Sequence, residues 1–410
     1  LRLSNLELVN FRNYSRLQLS FNEPLTLLQG ENAQGKSNLL EAIYMLATSR
    51  SPRTGSDREL IHWLAEEDLQ PHARIDAEVE RANRTERIDI TILQNSQGDN
   101  GPTTRKQIRI NGLNRRALDL LGHLNVVLFV PQDVDLVAGS PSVRRRYLDI
   151  TLCQISSKYC RSLSRYNRVV AQRSHLLRQL RERGGKPEQM EYWNDALTGH
   201  GAEIMAWRRQ ALSALDQLAR AAHYDLTGGS EVLRLQYASS LAVPDSALGP
   251  TDSPLELDAG EVAALKAAFQ SRLAELRRQE TLQGVCLVGP HRDDVRFVVN
   301  DRDLNTYGSR GQQRTAALSL KMSETRLMHQ ATGERPVLLL DDVMSELDVR
   351  RRRYLLDTVG GAQQAIITTT DFRLFPQKFL SDIELMQVVE GRIHHLEQSP
   401  LEEEAHGDAP

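Results

Sequence analysis

The sequence predicts an α/β protein interrupted by an inserted helical region, and three observations predict it. Short apolar runs toward both ends (Leu25 to Leu28, Val337 to Leu340, Ala365 to Thr368) read as strands buried on both faces. Helical patterns alternate with the later runs, as an α/β sheet requires. Between the two ends, from Tyr159 to Ala221, apolar residues instead recur at alternating steps of four and three, one stripe to a helix.

Taken in order, Leu17, Leu19 and Phe21 alternate with polar residues, and Leu25 to Leu28 forms a strand that stops at Gly30. A helix is expected from Lys36 to Thr48, with Leu39, Leu40, Ile43 and Leu46 on one side. Strands are expected over Arg74 to Val79, Arg87 to Leu93, Gln107 to Ile110 and Val126 to Val130, with a polar loop from Asn95 to Thr104. Past Pro141 the period changes. Tyr159, Leu163, Tyr166, Val170, Arg173, Leu177 and Leu180 make one stripe; Gly184-Gly185-Lys186-Pro187 breaks it. Trp193, Leu197, His200, Ile204, Trp207, Ala211, Ala214, Leu218 and Ala221 make a second. Two such helices pack as an antiparallel hairpin, either a protruding arm or part of an ordinary bundle. A loop near 242–260 precedes a helix over Glu261 to Glu280, after which strands return at Val285 to Val288 and Val295 to Val299. Helices are expected over Gln312 to Gln330 and Val349 to Val359. The expected division is an N-terminal lobe (1–150), a helical arm (151–283), a C-terminal part completing the lobe (284–396) and an acidic, disordered tail (397–410).

The chain has 410 residues, 40% hydrophobic and 26% charged, which suits a soluble protein of two or three domains. No stretch approaches eighteen consecutive apolar residues and the N-terminus lacks a signal-peptide layout, so a cytoplasmic protein without membrane partners is expected. Cys153, Cys160 and Cys286 have no metal-ligand spacing and read as reduced core residues. The net charge of −3 disfavours nucleic acid only until its distribution is considered: five acids and no Lys or Arg follow Arg392, so the rest of the chain carries +2.

Gly30-Glu31-Asn32-Ala33-Gln34-Gly35-Lys36-Ser37 matches the P-loop pattern between an expected strand and an expected helix. Backbone amides curl around a phosphate, the helix dipole favours its charge, Lys36 adds a point charge and Ser37 can ligate Mg²⁺. ATP or GTP is the implied ligand. The run Val337 to Leu340 ends in Asp341 and Asp342, at the end of a strand where α/β sheets bind ligands. Asp341 is expected to hold Mg²⁺ and Asp342 to orient or deprotonate the attacking water; standing alone, the pair would fit an acidic helix cap better. About three hundred residues separate these two halves, so the helical region is an insertion into one domain.

Tyr307-Gly308-Ser309-Arg310-Gly311-Gln312-Gln313-Arg314 resembles the ABC signature, in which a Ser-x-Gly-Gln cluster at a helix start contacts the γ-phosphate held by another subunit. A hydroxyl, a bare backbone and a positive dipole end suit an anion, as they suit a plain helix cap. Ser345-Glu346-Leu347-Asp348 resembles the D-loop, so Asp348 is a candidate at the subunit seam. Thr369-Thr370-Asp371 stands where transporter ATPases carry Thr-His-Asp. Thr370 can hydrogen-bond a phosphate but carries no charge, which argues for slow, switch-like hydrolysis. Gln132, after the strand Val126 to Val130, is the candidate Q-loop glutamine, although Pro131 and Asp133 fit a simple turn.

These motifs, with Asn10-Phe11-Arg12-Asn13-Tyr14, the P-loop extended through Asn38, Gly139 to Arg146 and Gly289-Pro290-His291-Arg292-Asp293-Asp294, resemble the RecF family of SMC-like ABC-type ATPases along nearly the whole chain. The resemblance implies an ABC-type P-loop ATPase head built from N- and C-terminal segments, with an inserted α-helical arm. It implies an ATP-dependent homodimer with each ATP between the P-loop of one subunit and Ser309, Gly311 and Gln312 of the other, and places Arg12 and Asn13 near the nucleotide. It further implies binding of double-stranded DNA near single-strand gaps, and action with RecR and RecO in loading RecA.

Twelve Lys or Arg against two acids lie between Arg144 and Lys186. Arg144, Arg145 and Arg146 open the segment, and Lys158, Arg161, Arg165 and Arg168 share one helical face. Such a stripe neutralises phosphates without reading bases; the alternative is a solvated helix face, which usually mixes signs. A transporter ATPase calls for a histidine at Thr370 and no basic arm, a full chromosome-organising SMC protein for a much longer coiled coil, and a DNA clamp with other partners or a dead ATPase stays open.

Overall fold

The computed structural model describes residues 1–67, 69–95, 103–184, 187–241, 255 and 257–396. The chain forms two compact units, one from Leu1–Gln132 together with the chain from Gly333 onward, the other from Asp133–Thr332. These boundaries fall at 132 and 332, where the sequence reading puts 150 and 283.

The first unit opens with β1 (Arg2–Phe11), β2 (Tyr14–Ser20), β3 (Leu25–Gln29), α1 (Lys36–Thr48), β4 (His72–Arg81), β5 (Arg84–Asn95), β6 (Thr103–Ile110), β7 (Leu113–Arg115), α2 (Ala117–Leu120) and β8 (Val126–Phe129). The second unit follows as α3 (Asp135–Ala138), α4 (Pro141–Ile155), α5 (Ser157–Arg183), α6 (Glu191–Thr227), β9 (Leu233–Ala238), α7 (Ala259–Gln283), β10 (Asp294–Val299), β11 (Arg302–Asp303), α8 (Leu304–Tyr307) and α9 (Arg310–Thr332). The chain then completes the first unit with β12 (Val337–Asp341), α10 (Val349–Gly360), β13 (Ala365–Thr369), α11 (Gln377–Leu380), β14 (Glu384–Val389) and β15 (Arg392–Leu396).

The first unit holds two six-stranded sheets. One, ordered β15-β14-β3-β13-β12-β8, is parallel except for β15 at its edge. Its central strands are the apolar runs, and Leu27, Leu28, Leu338 to Leu340, Ile366 and Ile367 are all buried. The other sheet, β2-β1-β4-β5-β6-β7, is antiparallel and buries one alternating face, with Ile75, Val79, Ile88, Ile90 and Ile108 inside. Gln364, fully buried, accepts from the Leu3 amide at 2.7 Å and donates to the Leu3 carbonyl at 2.8 Å, stitching the two sheets.

In the second unit α5 and α6 run antiparallel, as the pairs Tyr159–Arg208 and Arg173–Asn194 record. The hairpin is not a bare pair, because α7 packs on both helices and α9 packs along α6. Val285 to Val288 is no strand. Its backbone is satisfied by side chains instead: Glu280 accepts from the Leu287 amide at 2.8 Å, and Arg292 donates to the Cys286 carbonyl at 2.7 and 3.0 Å. Arg173 donates to Glu280 at 2.5 Å in a buried ion pair and to Cys286 Sγ at 3.2 Å. The three cysteines are buried without a disulfide among the described residues. Residues 96–102, 185 and 186, most of 242–256 and 397–410 lie outside the described residues, so the Asn95 to Thr104 loop, Lys186, the loop near 242–260 and the acidic tail belong there in whole or in part.

Candidate active site

β3 delivers the chain to Gly30 and α1 begins at Lys36, so the intervening loop faces the C-terminal edge of the parallel sheet. α1 starts from Gly35 with no side-chain cap, which leaves its first amides open to an anion. Gly35 has φ 120°, and a Cβ there would lie 2.7 Å from Asn13 Nδ2 and 2.9 Å from the Tyr14 hydroxyl. Those neighbours buttress the loop: Asn13 donates to the Gln34 carbonyl at 2.9 Å and Tyr14 to the Gly35 carbonyl at 3.0 Å. Asn38 Nδ2 donates to Asn13 Oδ1 at 2.8 Å, and the Gly391 and Glu390 amides hold Gln34 from the β14–β15 turn. Glu31, Asn32 and Ala33 stand exposed at the rim. The Arg12 guanidinium binds both carboxylate oxygens of Glu41 on α1 at 2.8 and 2.9 Å.

Lys36 Nζ donates to the Gly30 and Glu31 carbonyls at 2.5 and 2.8 Å. Burial lowers its pKa, while Asp342, Asp341 and Glu31 act in the opposite sense. Ser37 Oγ donates to Asp341 Oδ1 at 2.7 Å, and Thr368 Oγ1 donates to the same oxygen at 3.0 Å. β13 lies between β3 and β12, so its Thr368 links the two halves of the site. Asp342 sits at φ 51°, in the left-handed region, with its amide on Thr368 Oγ1 at 3.1 Å. Its Oδ1 is buried without a hydrogen-bond partner among the described residues. Burial raises its pKa, Lys36 lowers it, and Asp341 and Glu346 raise it further. A cation-ready pair, Ser37 with Asp341, therefore adjoins a carboxylate with one unused oxygen. That donor set fits Mg²⁺ and an in-line water.

Phe129 of β8 pairs with Leu340 of β12, so exposed Gln132, three residues on, lies at the same sheet end as the two acids. Thr370 follows β13, its carbonyl accepting from Gln29 at 3.3 Å. Asp348 caps α10 through the Arg351 amide at 2.9 Å and pairs with the Arg351 guanidinium at 2.8 Å, which leaves it exposed on the surface.

Against known proteins, the family described as RecF/RecN/SMC N terminal domain matches residues 2–390. The DNA replication and repair protein RecF of Herpetosiphon aurantiacus is 44% identical over 95% of this chain and 99% of its own. The chain belongs to the RecF family. The RecF of Bacillus subtilis, 39% identical, covers the same 95% of the chain and 99% of its own. A solved structure of the recombination mediator protein RecF of the RecFOR pathway, as RecF-ATP, superposes with a TM-score of 0.81 at 32% identity, covering 96% of this chain and 97% of that one. An Smc head bound to the C-winged helix domain of ScpA, 13% identical, has a TM-score of 0.53 over 98% of this chain and 100% of its own, a likeness of fold. This RecF-family chain is thus an SMC-like ABC-type ATPase of DNA replication and repair.

The second unit carries the other RecF-family segments. Ser309 and Gln312 cap α9 reciprocally: the Gln312 amide donates to Ser309 Oγ at 3.2 Å and the Ser309 amide to Gln312 Oε1 at 3.0 Å. Ser309 is exposed and Gly311 half-buried. The segment from Gly289 to Asp294 is a structural knot. Arg208 donates to the Pro290 carbonyl at 2.6 Å, Tyr166 and His291 Nδ1 lie 2.6 Å apart, and Asp293 accepts from the Ser240 amide and the Tyr237 hydroxyl.

Arg144 requires a correction. Instead of facing DNA, it is buried, bidentate to Asp294 at 2.7 and 2.9 Å, with a further bond to the Gly139 carbonyl at 2.7 Å. An exposed basic residue cannot be told from one in a buried ion pair by composition. Arg145 is half-buried and donates to the Asp293 carbonyl at 2.7 Å. Arg146, Lys158, Arg161, Arg165 and Arg168 are exposed.

Three residues of the first unit were not anticipated. Tyr14 and Thr368 support the loop and the acids, and Arg53, just beyond α1, donates to Asn38 at 2.9 Å beside the phosphate loop. The two arginines of Arg50-Ser51-Pro52-Arg53 after the P-loop helix were the available signal.

Proposed function

We propose that two copies of this protein close around two ATP molecules and, closed, grip duplex DNA beside a single-strand gap. The observation that carries this reading is the Ser37–Asp341 hydrogen bond, 304 residues apart in sequence, which brings the phosphate loop and the acid strand into one site. Mg²⁺, held by Ser37 and Asp341, supplies charge to the phosphates when bound. Lys36 and the open amides of α1 bind the β- and γ-phosphates, and Arg53 adds a positive charge at the rim. Asp342 orients and accepts a proton from the attacking water through its unused oxygen, with Gln132 and Thr370 beside it. Ser309, Gly311 and Gln312 of the second copy complete the γ-phosphate shell, and Asp348 lies near the seam.

Hydrolysis is slow because Thr370 offers no charge and the second acid is an Asp. It serves release. Arg146, Lys158, Arg161, Arg165 and Arg168 hold duplex phosphates without reading sequence. RecR, with RecO and RecA downstream, are the protein partners, and the cytoplasm is the location. Among the described residues no helix is long and apolar enough to cross a membrane.

Sedimentation with and without Mg-ATP and duplex DNA tests the reading. The wild type is expected to double its mass on ATP alone, while Lys36→Arg and Ser309→Arg stay monomeric. Dimerisation of both variants at wild-type ATP concentrations defeats it.

A further inference from the structure

The cap at the start of α9 is itself held from behind. Gln312 uses its Oε1 on the Ser309 amide, and its Nε2 donates to Glu231 Oε1 at 2.8 Å. Glu231 stands in the turn between α6 and β9, two residues before the strand, and is one-fifth exposed. Its second oxygen lies 3.0 Å from Nε2 of His223, which is fully buried on α6. His223 Nδ1 lies 3.2 Å from Ser319 Oγ on α9, and Ser319 donates to the Thr315 carbonyl at 2.7 Å. A line of polar contacts thus leaves α9 at Ser319, crosses α6 and returns to α9 at Gln312, with an imidazole proton on Nε2 facing Glu231.

Each end of the Gln312 amide has one partner, which fixes both its position and its orientation. Without Glu231 the amide nitrogen loses its partner and the group can rotate off the Ser309 amide, opening the cap. A carboxylate suits the place because it accepts from both sides, from Gln312 and from the imidazole. A glutamine at 231 can keep both contacts, accepting from Gln312 through its oxygen and donating to His223 Nε2 through its nitrogen, with the imidazole proton moved to the Nδ1 side.

We propose that Glu231, seated by His223, is a positioning residue that presets Gln312 and Ser309 for the nucleotide of a second copy of the chain. The inference rests on the sandwich reading above. Its simpler competitor is a staple that only joins α6 and β9 to α9.

The test compares wild type, Glu231→Ala, the bulk-preserving Glu231→Leu, Glu231→Gln and Ser309→Arg. Binding of fluorescent Mg-ATP to the monomer, the thermal midpoint and the protein concentration for half dimerisation in Mg-ATP are measured. Glu231→Ala and Glu231→Leu are expected to bind nucleotide as wild type but to need about tenfold more protein to dimerise, the loss of one hydrogen bond to Gln312. Glu231→Gln is expected to dimerise as wild type, which a loss of general packing does not allow the other variants to mimic. If Glu231→Ala unfolds, Glu231→Leu and Glu231→Gln still give the comparison. Wild-type dimerisation of the Ala or Leu variant beside a monomeric Ser309→Arg overturns the inference and leaves the sandwich standing. A Gln variant as weak as the Ala variant also overturns it. Wild-type dimerisation of Ser309→Arg overturns the sandwich itself, and the inference with it.

Discussion

Ser37 Oγ donates to Asp341 Oδ1 at 2.7 Å, so the first residue able to meet a metal on the phosphate loop already touches the acid at the end of β12. In the proposed function a Mg²⁺ takes both of these oxygens when it binds. Ser37→Ala and Asp341→Asn are each expected to weaken Mg-ATP binding about tenfold or more, and to leave binding of metal-free ATP within about twofold. Titration of a fluorescent ATP with and without Mg²⁺ checks this; equal losses in both conditions count against the assignment.

Asp342 has one oxygen without a hydrogen-bond partner among the described residues, and burial pushes its carboxyl above its ordinary range. Asp342→Asn is expected to cut turnover by about 10²–10⁴ with ATP binding kept, and so to prolong the ATP-bound dimer. The linkage sign makes the same variant more stable. A carboxyl with a raised folded pKa favours folding below its unfolded value and opposes it as pH rises through the folded value. Asparagine also tolerates the left-handed backbone at φ 51°. A thermal midpoint for Asp342→Asn below that of wild type at neutral pH contradicts the assignment.

His291 is half-buried, and desolvation lowers its pKa from 6.5 to about 4. A histidine depressed in this way contributes stability above the unfolded value that is lost as pH falls from about 6.5 toward 4, because the unfolded chain takes up the proton first. Urea unfolding from pH 7 to pH 4 is expected to show stability falling by up to one proton's worth, and His291→Gln to remove that part of the slope. A slope unchanged in the variant rejects the histidine as its source.

The arginines of the basic segment are expected to separate into two classes. Arg165→Ala and Arg168→Ala, both exposed, are expected to weaken duplex binding and to reduce the salt dependence by about 0.9 per phosphate contact, with the thermal midpoint unchanged. Arg144→Ala leaves Asp294 without its bidentate partner and is expected to cost about 2–3 kcal/mol of stability. Duplex binding across a salt series, beside thermal melts, checks both. A stable Arg144→Ala that binds DNA poorly reverses the assignment.

Gly289 has φ 121°, and a Cβ there would lie 2.4 Å from the Tyr166 hydroxyl and 2.5 Å from Phe269. Gly289→Ala is expected to destabilise the second unit by roughly 2 kcal/mol or more, since both the backbone and two buried rings resist it. Chemical denaturation of the variant measures the loss; a change below about 0.5 kcal/mol contradicts the packing described.

What the sequence reveals depends on how local its chemistry is. The phosphate loop and the acid pair are contiguous words whose neighbours on the sheet, β3 and β12, are also apolar words, so both were legible. The helix near Lys36 to Thr48 was legible because Leu39, Leu40, Ile43 and Leu46 fall on one side after the glycine of the loop. Val285 to Val288 looked like a strand because an apolar run does not disclose that Glu280 and Arg292 will satisfy its backbone. Arg144 looked like a phosphate contact because charge is visible in a sequence and burial is not. Glu231 carries no local signal at all: its meaning comes from Gln312 and His223, 81 and 8 residues away.

If each nucleotide is shared by two copies, a mixture of two differently defective copies regains what neither has alone. Lys36→Arg spoils the loop and Ser309→Arg the opposing cap, so each variant alone is expected to neither dimerise nor turn over ATP. A one-to-one mixture forms pairs in which the intact loop of one copy meets the intact cap of the other, and partial recovery of both properties is expected. Wild-type turnover by either variant alone, or no recovery on mixing two folded variants, contradicts the shared site.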